Sequence, residues 1–192
     1  MKDVLTLHVN GDALEVGVPA HATLLETLRY TCGFTGSKQG CDKGDCGACT
    51  VLLDGEPFLS CIMPVYEALG HEITTVEGLA EGRYPHPLQD AFDLCGAAQC
   101  GFCTPGILCS AYALLLRNTN PGRAEIQQAL SGNLCRCTGY TKIFEAVEVA
   151  AEALRRGRDP RDVVAERYAL AFPSRSMQPA SPRDREDGDA DA

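Results

Sequence analysis

The stretch Gly40-Cys-Asp-Lys-Gly-Asp-Cys-Gly-Ala-Cys49 places three cysteines in one short, glycine-rich loop, and Cys61 follows on a separate segment. This C-x4-C-x2-C spacing with a distant fourth cysteine is typical of a plant-type [2Fe-2S] cluster. A loop can deliver three thiolates only if its backbone curls around the inorganic sulfurs, and glycines permit that curl. Zinc also accepts four thiolates, but its sites usually pair two C-x2-C knuckles, so the spacing favours an iron–sulfur cluster.

A second set of cysteines follows as Cys100-Gly-Phe-Cys103 and Cys135-Arg-Cys137. Taken alone, the first pair also suits a thioredoxin-like redox motif or half of a zinc site. Both pairs border predicted helices, and packing those helices together can bring the four sulfurs into one place. A second [2Fe-2S] cluster is the simplest interpretation. The predicted metal ligands are therefore Cys41, Cys46, Cys49, Cys61, Cys100, Cys103, Cys135 and Cys137.

Three further cysteines lie outside these sets. Cys32 and Cys109 fall on helix ends or apolar faces, where a buried, inert thiol is usual, whereas Cys95 precedes Gly96 and is expected to be more exposed. The histidines are scattered and form no ligand pair, which argues against a Rieske centre and against histidine catalysis. No phosphate loop, nucleophile elbow or carboxylate pair is recognisable, so the sequence offers no site for bond chemistry.

Composition narrows the class of protein. The chain has 192 residues, an odd number of cysteines (11) and a formal net charge of -9. With no signal peptide before the first strand pattern, thiolates in a reducing cytosol are favoured over a secreted disulfide scaffold, and we expect a cytoplasmic protein. The acidic balance argues against nucleic-acid binding. No apolar run approaches the roughly 20 residues of a membrane span, so direct membrane insertion is not expected.

The first part of the chain is predicted to be a small α+β domain over residues 1–77. Alternating patterns at 4–9 and 13–18 flank Asn10-Gly11, the strongest short hairpin signal. A capping box at Thr23 predicts a helix from Leu24 to about Thr31. Further strands are predicted at 50–53, 57–59 and 72–76.

The second part changes to helical periodicity. Residues 78–87 have linker composition, and residues 88–156 are predicted to form a bundle of four short helices whose two breaks hold the second cysteine set. The remaining 157–192 form a C-terminal extension. Its segment 158–172 suits either a further helix or an arm lying on a partner, and its composition from about residue 173 predicts disorder. The helices are predicted at 88–95, 106–116, 123–130 and 140–150.

Three motifs resemble the signatures of the iron–sulfur subunit in the xanthine dehydrogenase family of molybdenum hydroxylases. They are Gly40-Cys-Asp-Lys-Gly-Asp-Cys-Gly-Ala-Cys-Thr50, Gln99-Cys-Gly-Phe-Cys-Thr-Pro-Gly106 and Gly132-Asn-Leu-Cys-Arg-Cys-Thr-Gly-Tyr140. The resemblance covers about residues 1–155. It implies an α+β chain with an N-terminal β-grasp, plant-type ferredoxin-like domain, followed by a four-helix-bundle [2Fe-2S] domain. Family small subunits commonly stop soon after the last helix, whereas this chain continues from Arg155 to Ala192.

The resemblance also implies a function. Such subunits relay electrons between a large molybdopterin-binding subunit and either a medium FAD-binding subunit or an external acceptor. The helical-domain cluster lies nearest the molybdopterin, so Gln99 and Cys137 would approach the pterin; a solvated, helix-flanking amide is the alternative for Gln99. Within the family, two stretches look similar to the small subunit of 4-hydroxybenzoyl-CoA reductase: Thr35-Gly-Ser-Lys-Gln-Gly-Cys41 and Gly132-Asn-Leu-Cys-Arg-Cys-Thr-Gly-Tyr-Thr-Lys-Ile143. The same two stretches resemble small subunits of carbon monoxide, nicotinate, isoquinoline and aldehyde oxidising enzymes.

Two other functions remain open from the residues alone. One is a free-standing two-cluster ferredoxin or redox sensor without a molybdenum partner, although such a carrier has no need of the helical domain. The other is a zinc-bearing structural adaptor, which the cysteine spacing disfavours.

Overall fold

A computed structural model of the chain describes residues 2–80 and 82–171. The disorder predicted from about residue 173 lies outside these residues. In the part of the chain that is described, no helix combines the length and the apolar character that crossing a membrane would need.

The chain opens with the predicted hairpin. Strands β1 (Lys2–Val9) and β2 (Asp12–Pro19) pair antiparallel, with Val9 opposite Asp12. Asn10 and Gly11 both adopt positive φ, 55° and 87°, as a two-residue type I′ turn requires. The turn therefore sets a register that directs Leu7 and Val9 into the core.

Three more strands complete one mixed sheet. They are β3 (Thr50–Leu53), β4 (Glu56–Leu59) and β5 (Glu72–Thr74), and the sheet order is β2-β1-β5-β3-β4. The pairing of β1 with β5 is parallel and the other pairings are antiparallel. The loop predicted to bind the first cluster runs directly into β3, so its end is fixed by an interior strand of the sheet.

The helix over this sheet differs from the prediction. The capping box at Thr23 begins α1 (Leu24–Glu26), but the chain then widens into a π-helical turn (Thr27–Thr31), closed by a bond from the Cys32 N–H to the Thr27 carbonyl. Leu24 packs into the sheet core, while its neighbour Leu25 packs against Cys49 and Cys61. This short segment therefore serves both the sheet and the cysteine loop.

Five helices form the second domain and bury a separate apolar core. They are α2 (Pro87–Leu94), α3 (Thr104–Arg117), α4 (Arg123–Ala129), α5 (Thr141–Arg156) and α6 (Pro160–Ala171). The last of these lies in the segment for which the sequence left a helix or an arm open. It is a helix, and it packs on α2 and α5 of its own chain.

Two kinds of contact hold α6. Val163 and Val164 are buried in the helical core, and the Arg167 guanidinium reaches the carboxylates of Glu148 and Glu152 on α5, at 3.5 and 3.1 Å. The apolar pair removes water from the interface, whereas the partly exposed ion pairs contribute less.

The two domains also share apolar contacts. Leu52 of β3 packs against Cys109 and Ala113 of α3, and all three side chains are buried. The helix that begins at the second cysteine set therefore lies against the strand that follows the first set. Cys109 is the buried thiol that the sequence predicts.

Candidate metal centres

Backbone N–H groups surround the first cysteine of the outer loop, residues 40–50. The amides of Lys43 and Asp45 point at the Cys41 sulfur, at 3.5 and 3.3 Å. Donors from Lys43, Cys46 and Asp45, in that order, lower the pKa of the Cys41 thiol to about 7. The loop thus favours a thiolate at Cys41, which is the form that binds metal.

The segment leading into the outer loop is braced from the π-helical turn. The Arg29 guanidinium donates to the carbonyls of Thr35 and Ser37, at 2.8 and 2.6 Å. Within the loop, Gly44 and Gly47 have φ values of 80° and 71°, a region that side chains disfavour. At Gly40 the reason for glycine is space, because a Cβ there would lie 2.8 Å from the Cys46 sulfur.

The four outer sulfurs form two close pairs. Cys41 lies beside Cys46, and Cys49 lies beside Cys61. Cys49 and Cys61 are buried beneath Leu25. Burial raises the pKa of Cys61 to about 11, and the adjoining Cys49 sulfur adds to the rise. Placing four thiolates here therefore requires a compensating positive charge, as a metal supplies.

The inner sulfurs, from the second cysteine set, pair in the same way. Cys100 and Cys103 lie in the loop before α3, while Cys135 and Cys137 lie in the loop before α5. The Cys100 and Cys137 sulfurs are 3.6 Å apart, and Cys103 lies beside Cys135. Burial, followed by the nearby Cys135, raises the pKa of Cys103 to about 12.

Hydrogen bonds made by two hydroxyl groups fix the conformation of the loop before α5. The Tyr140 hydroxyl accepts from the Cys135 N–H at 2.7 Å and donates to the Asn133 carbonyl at 2.9 Å. The Thr138 hydroxyl lies 3.2 Å from the Cys135 sulfur. Tyr140 itself has a φ of 65°, which lets its side chain fold back over the loop before α5 begins.

These pairs fit a [2Fe-2S] group. Two thiolates on one tetrahedral metal, with bonds of about 2.3 Å, lie about 3.7 Å apart, close to the Cys100–Cys137 separation. Each set supplies two pairs, one for each of two irons. Among the described residues, no three His, Cys, Asp or Glu side chains converge on a single ion-sized position.

The outer loop touches the inner loop, which is the loop before α5, residues 132–140. The Leu134 N–H donates to the Cys46 carbonyl at 2.9 Å, and the Asn133 side-chain amide donates to the Gly47 carbonyl at 3.0 Å. The Phe102 ring lies over Gly40. Sequence motifs contain all three residues, but no local pattern pairs Leu134, Asn133 or Phe102 with a loop so far away in the chain.

The other positions singled out from the sequence differ in their exposure to solvent. Gln99 is exposed, as are Cys100 and Cys137, so these three mark one open edge of the inner site. Cys32 is half-buried at the end of the π-helical turn. The expectation that Cys95 is more exposed is wrong: it is 4% exposed, because it caps α2 inside the core that α5 and α6 complete.

Family models match both halves of the chain. The model described as "2Fe-2S iron-sulfur cluster binding domain" matches residues 7–71. The model described as "[2Fe-2S] binding domain" matches residues 75–148.

Individual relatives agree with this division. The chain is 46% identical to the nicotinate dehydrogenase small FeS subunit of Eubacterium barkeri, over 79% of this chain and 96% of that protein. It is 44% identical to the aldehyde oxidoreductase of Megalodesulfovibrio gigas, over 79% of this chain but only 17% of that longer protein. A chain in the crystal structure of quinoline 2-oxidoreductase from Pseudomonas putida 86 superposes with a TM-score of 0.78 at 43% identity, covering 82% of this chain and 98% of that one.

Proposed function

Because this chain belongs to the iron–sulfur subunits of the molybdenum hydroxylase family, we propose that its eight paired cysteines are the ligands of its two [2Fe-2S] clusters. Cys41, Cys46, Cys49 and Cys61 hold the outer one, and Cys100, Cys103, Cys135 and Cys137 hold the inner one. When bound, the clusters supply two one-electron carriers. The chain acts as the non-catalytic, electron-transferring subunit of an oxidoreductase.

Hydrogen bonds and burial provided by the protein influence the reduction potential of each site. Backbone N–H donors at Cys41 stabilise negative charge on that ligand, and the Thr138 hydroxyl does the same at Cys135. Hydrogen bonds to ligand sulfurs and the degree of solvent exposure both tune the potential of such sites. The buried Cys49–Cys61 pair and the exposed Cys100–Cys137 pair therefore give the two sites unlike surroundings.

We propose that the open edge of the inner site faces a large molybdopterin-binding subunit, with Gln99 and Cys137 nearest the pterin. Two apolar side chains in the loops that carry the inner cysteines are exposed to solvent: Phe102 is 46% exposed and Leu134 is 58% exposed. Exposed apolar groups beside a functional site are typical of a protein interface. That the two-domain unit forms part of one longer chain in the aldehyde oxidoreductase supports a permanent partner.

We also propose the domain bounds, a further partner and the location of the protein. They are domains over residues 1–77 and 88–156, a second partner that binds FAD, and a cytoplasmic location. The substrate pocket belongs to the partner, so this chain does not name the substrate. Its relatives are named for nicotinate, quinoline and aldehyde. The similarity to 4-hydroxybenzoyl-CoA reductase stays a prediction.

One observation carries the proposal: two sets of four sulfurs, each divided into close pairs, lie in loops that are hydrogen-bonded to each other. Metal analysis of the anaerobically purified full chain tests it. We expect about four irons per chain and two distinguishable EPR signals after reduction. Zinc in place of iron would defeat the proposal. A chain that never co-purifies with a molybdopterin protein would favour the free-standing ferredoxin.

A further inference from the structure

Asn133 occupies the point where the two cluster-binding loops meet. Its side chain is 3% exposed, and its Nδ2 group donates to the Gly47 carbonyl at 3.0 Å and to the Thr50 hydroxyl at 3.3 Å. The backbone carbonyl of Asn133 accepts from the Tyr140 hydroxyl. Removal of the side-chain donor leaves the Gly47 carbonyl with only the Thr50 N–H and Thr50 hydroxyl as donors, and it removes the side-chain hydrogen bond that joins the two loops.

The backbones at this junction approach as closely as glycine allows. A Cβ on Gly47 would overlap the Gly132 carbonyl oxygen, and a Cβ on Gly106 would overlap the Gly47 carbonyl oxygen. Gly47 and Gly106 therefore allow the close backbone approach beside which the Asn133 amide donates. The outer loop cannot shift here without moving the segment that carries the inner cysteines.

The junction lies next to the proposed ligands of both sites. Gly47 follows Cys46 directly, and Asn133 stands two residues before Cys135. On one side a cleft of about 210 Å³ opens between the domains, lined in part by Thr50, Gly132 and Asn133. Asn133 thus lies both at this cleft and at the contact between the loops.

We propose that Asn133 is a positioning residue that fixes the outer loop on the inner loop and thereby sets the coupling between the two iron–sulfur centres. The inference rests on the ligand sets of the proposed function. Electron exchange and magnetic interaction between two centres both weaken steeply with distance. A side chain that holds the loops in register therefore controls both quantities through the distance between the loops.

The test uses the full chain in its native complex, with Asn133→Ala and the near-isosteric Asn133→Asp. Asp has no donor at that position and brings its charge towards the Gly47 carbonyl. The matched control is Arg117→Ala, which removes an exposed contact between the domains, the 3.4 Å ion pair with Glu56, away from the junction. The readouts are iron content, the midpoint potential of each cluster, the spin–spin splitting in EPR with both clusters reduced, and the rate of electron exchange between them.

Both Asn133 variants should retain iron and separate cluster signals but lose much of the spin–spin splitting. Their inter-cluster exchange should slow by about 10-fold or more, in line with losses on removing outer-shell partners of metal sites. The control should match wild type. Unchanged splitting and exchange in both variants would overturn the inference, and so would loss of outer-cluster iron from both, since the side chain would then be needed to form the site. A wild-type chain without two iron–sulfur clusters would instead defeat the proposed function.

Discussion

The carbonyl oxygen of Cys46 accepts a 2.9 Å hydrogen bond from the backbone N–H of Leu134. Leu134 directly precedes Cys135, so one backbone hydrogen bond joins a proposed outer ligand residue to the neighbour of a proposed inner one. A backbone bond does not depend on the side chains that make it, but it does depend on the backbones coming close. A substitution that pushes these two backbones apart should therefore lower the iron content, whereas a substitution that only strains its own backbone should not.

Gly47→Ala should lose the outer cluster. Gly47 has a φ of 71°, and an added Cβ would overlap the Gly132 carbonyl oxygen. The methyl group cannot be accommodated without separating the loops. We expect about half of the roughly four irons per chain to be lost, with the inner signal retained. Iron analysis and EPR of the reduced protein measure this.

Gly11→Ala is the matched control for that variant. Gly11 has a φ of 87° in the β1–β2 turn, but a Cβ there would meet nothing within 4 Å. It should cost only the left-handed strain, about 1–2 kcal/mol in the free energy of unfolding, and leave the iron content unchanged. Equal iron loss in both variants would show that backbone strain, rather than the junction, is responsible.

How much of this molecule the sequence predicts depends on the range of the interaction. The Asn10-Gly11 hairpin is local, and it was predicted correctly from a few residues. The outer cysteine loop is also local, and its role as a set of metal ligands stays a prediction. The bond between Asn133 and Gly47 joins positions 86 residues apart, and no periodicity encodes it. The widening of α1 into a π-helical turn was missed because the capping box determines where a helix begins, not its later hydrogen bonding.

Burial of Cys95 was missed for a related reason. The following Gly96 correctly indicates the end of α2, and helix ends are commonly exposed. Here α6 belongs to the same core as Cys95, and the apolar pattern of α6 is too weak to reveal that packing from sequence alone. The exposure of Cys95 is therefore determined by tertiary packing, which the local sequence pattern does not reveal.

Cys137→Ser and Cys49→Ser should separate the two sites. Cys137 belongs to the exposed pair of the inner site, whereas Cys49 is buried in the outer one. Cys137→Ser should damage the inner cluster and slow substrate-driven reduction of the complex. Cys49→Ser should leave substrate-driven reduction of the inner cluster intact. Rapid-freeze EPR after mixing with substrate distinguishes the two variants. Equal loss in both would contradict an order in which substrate electrons reach the inner cluster first and the outer cluster second.

Apolar contact, rather than ion pairing, should hold α6 in place. Val163 is fully buried, so Val163→Ala should lower the free energy of unfolding by about 2 kcal/mol through two lost methyl groups and the cavity they leave. Arg167→Ala breaks ion pairs that are partly exposed to solvent and should cost less than about 1 kcal/mol. Urea unfolding followed by far-UV circular dichroism gives both values. The reverse order would mean that the ion pairs dominate.

The Cys95 thiol should react slowly in the intact chain and quickly once α6 is removed. Burial raises its pKa to about 11, and Glu145 adds to the rise. Since the thiolate is the nucleophile, alkylation should be slow near neutral pH and should increase about tenfold per pH unit until the pH approaches that value. A chain ending at Gly157 lacks α6 and the burial that it provides, and the loss of this burial outweighs the loss of the Arg167 charge, whose smaller effect is to lower the pKa of the Cys95 thiol. The pKa of Cys95 should then fall towards the ordinary value of about 8.5, and alkylation near neutral pH should accelerate.

Cys109 provides the internal control: burial between the two domains raises its pKa to about 12, and α6 contributes nothing to its cluster. Alkylation followed by peptide mass spectrometry reports both thiols in one sample. If Cys95 alone accelerates, α6 is the cover over Cys95; if Cys109 accelerates equally, the truncated bundle has opened and the helix is required for the whole core.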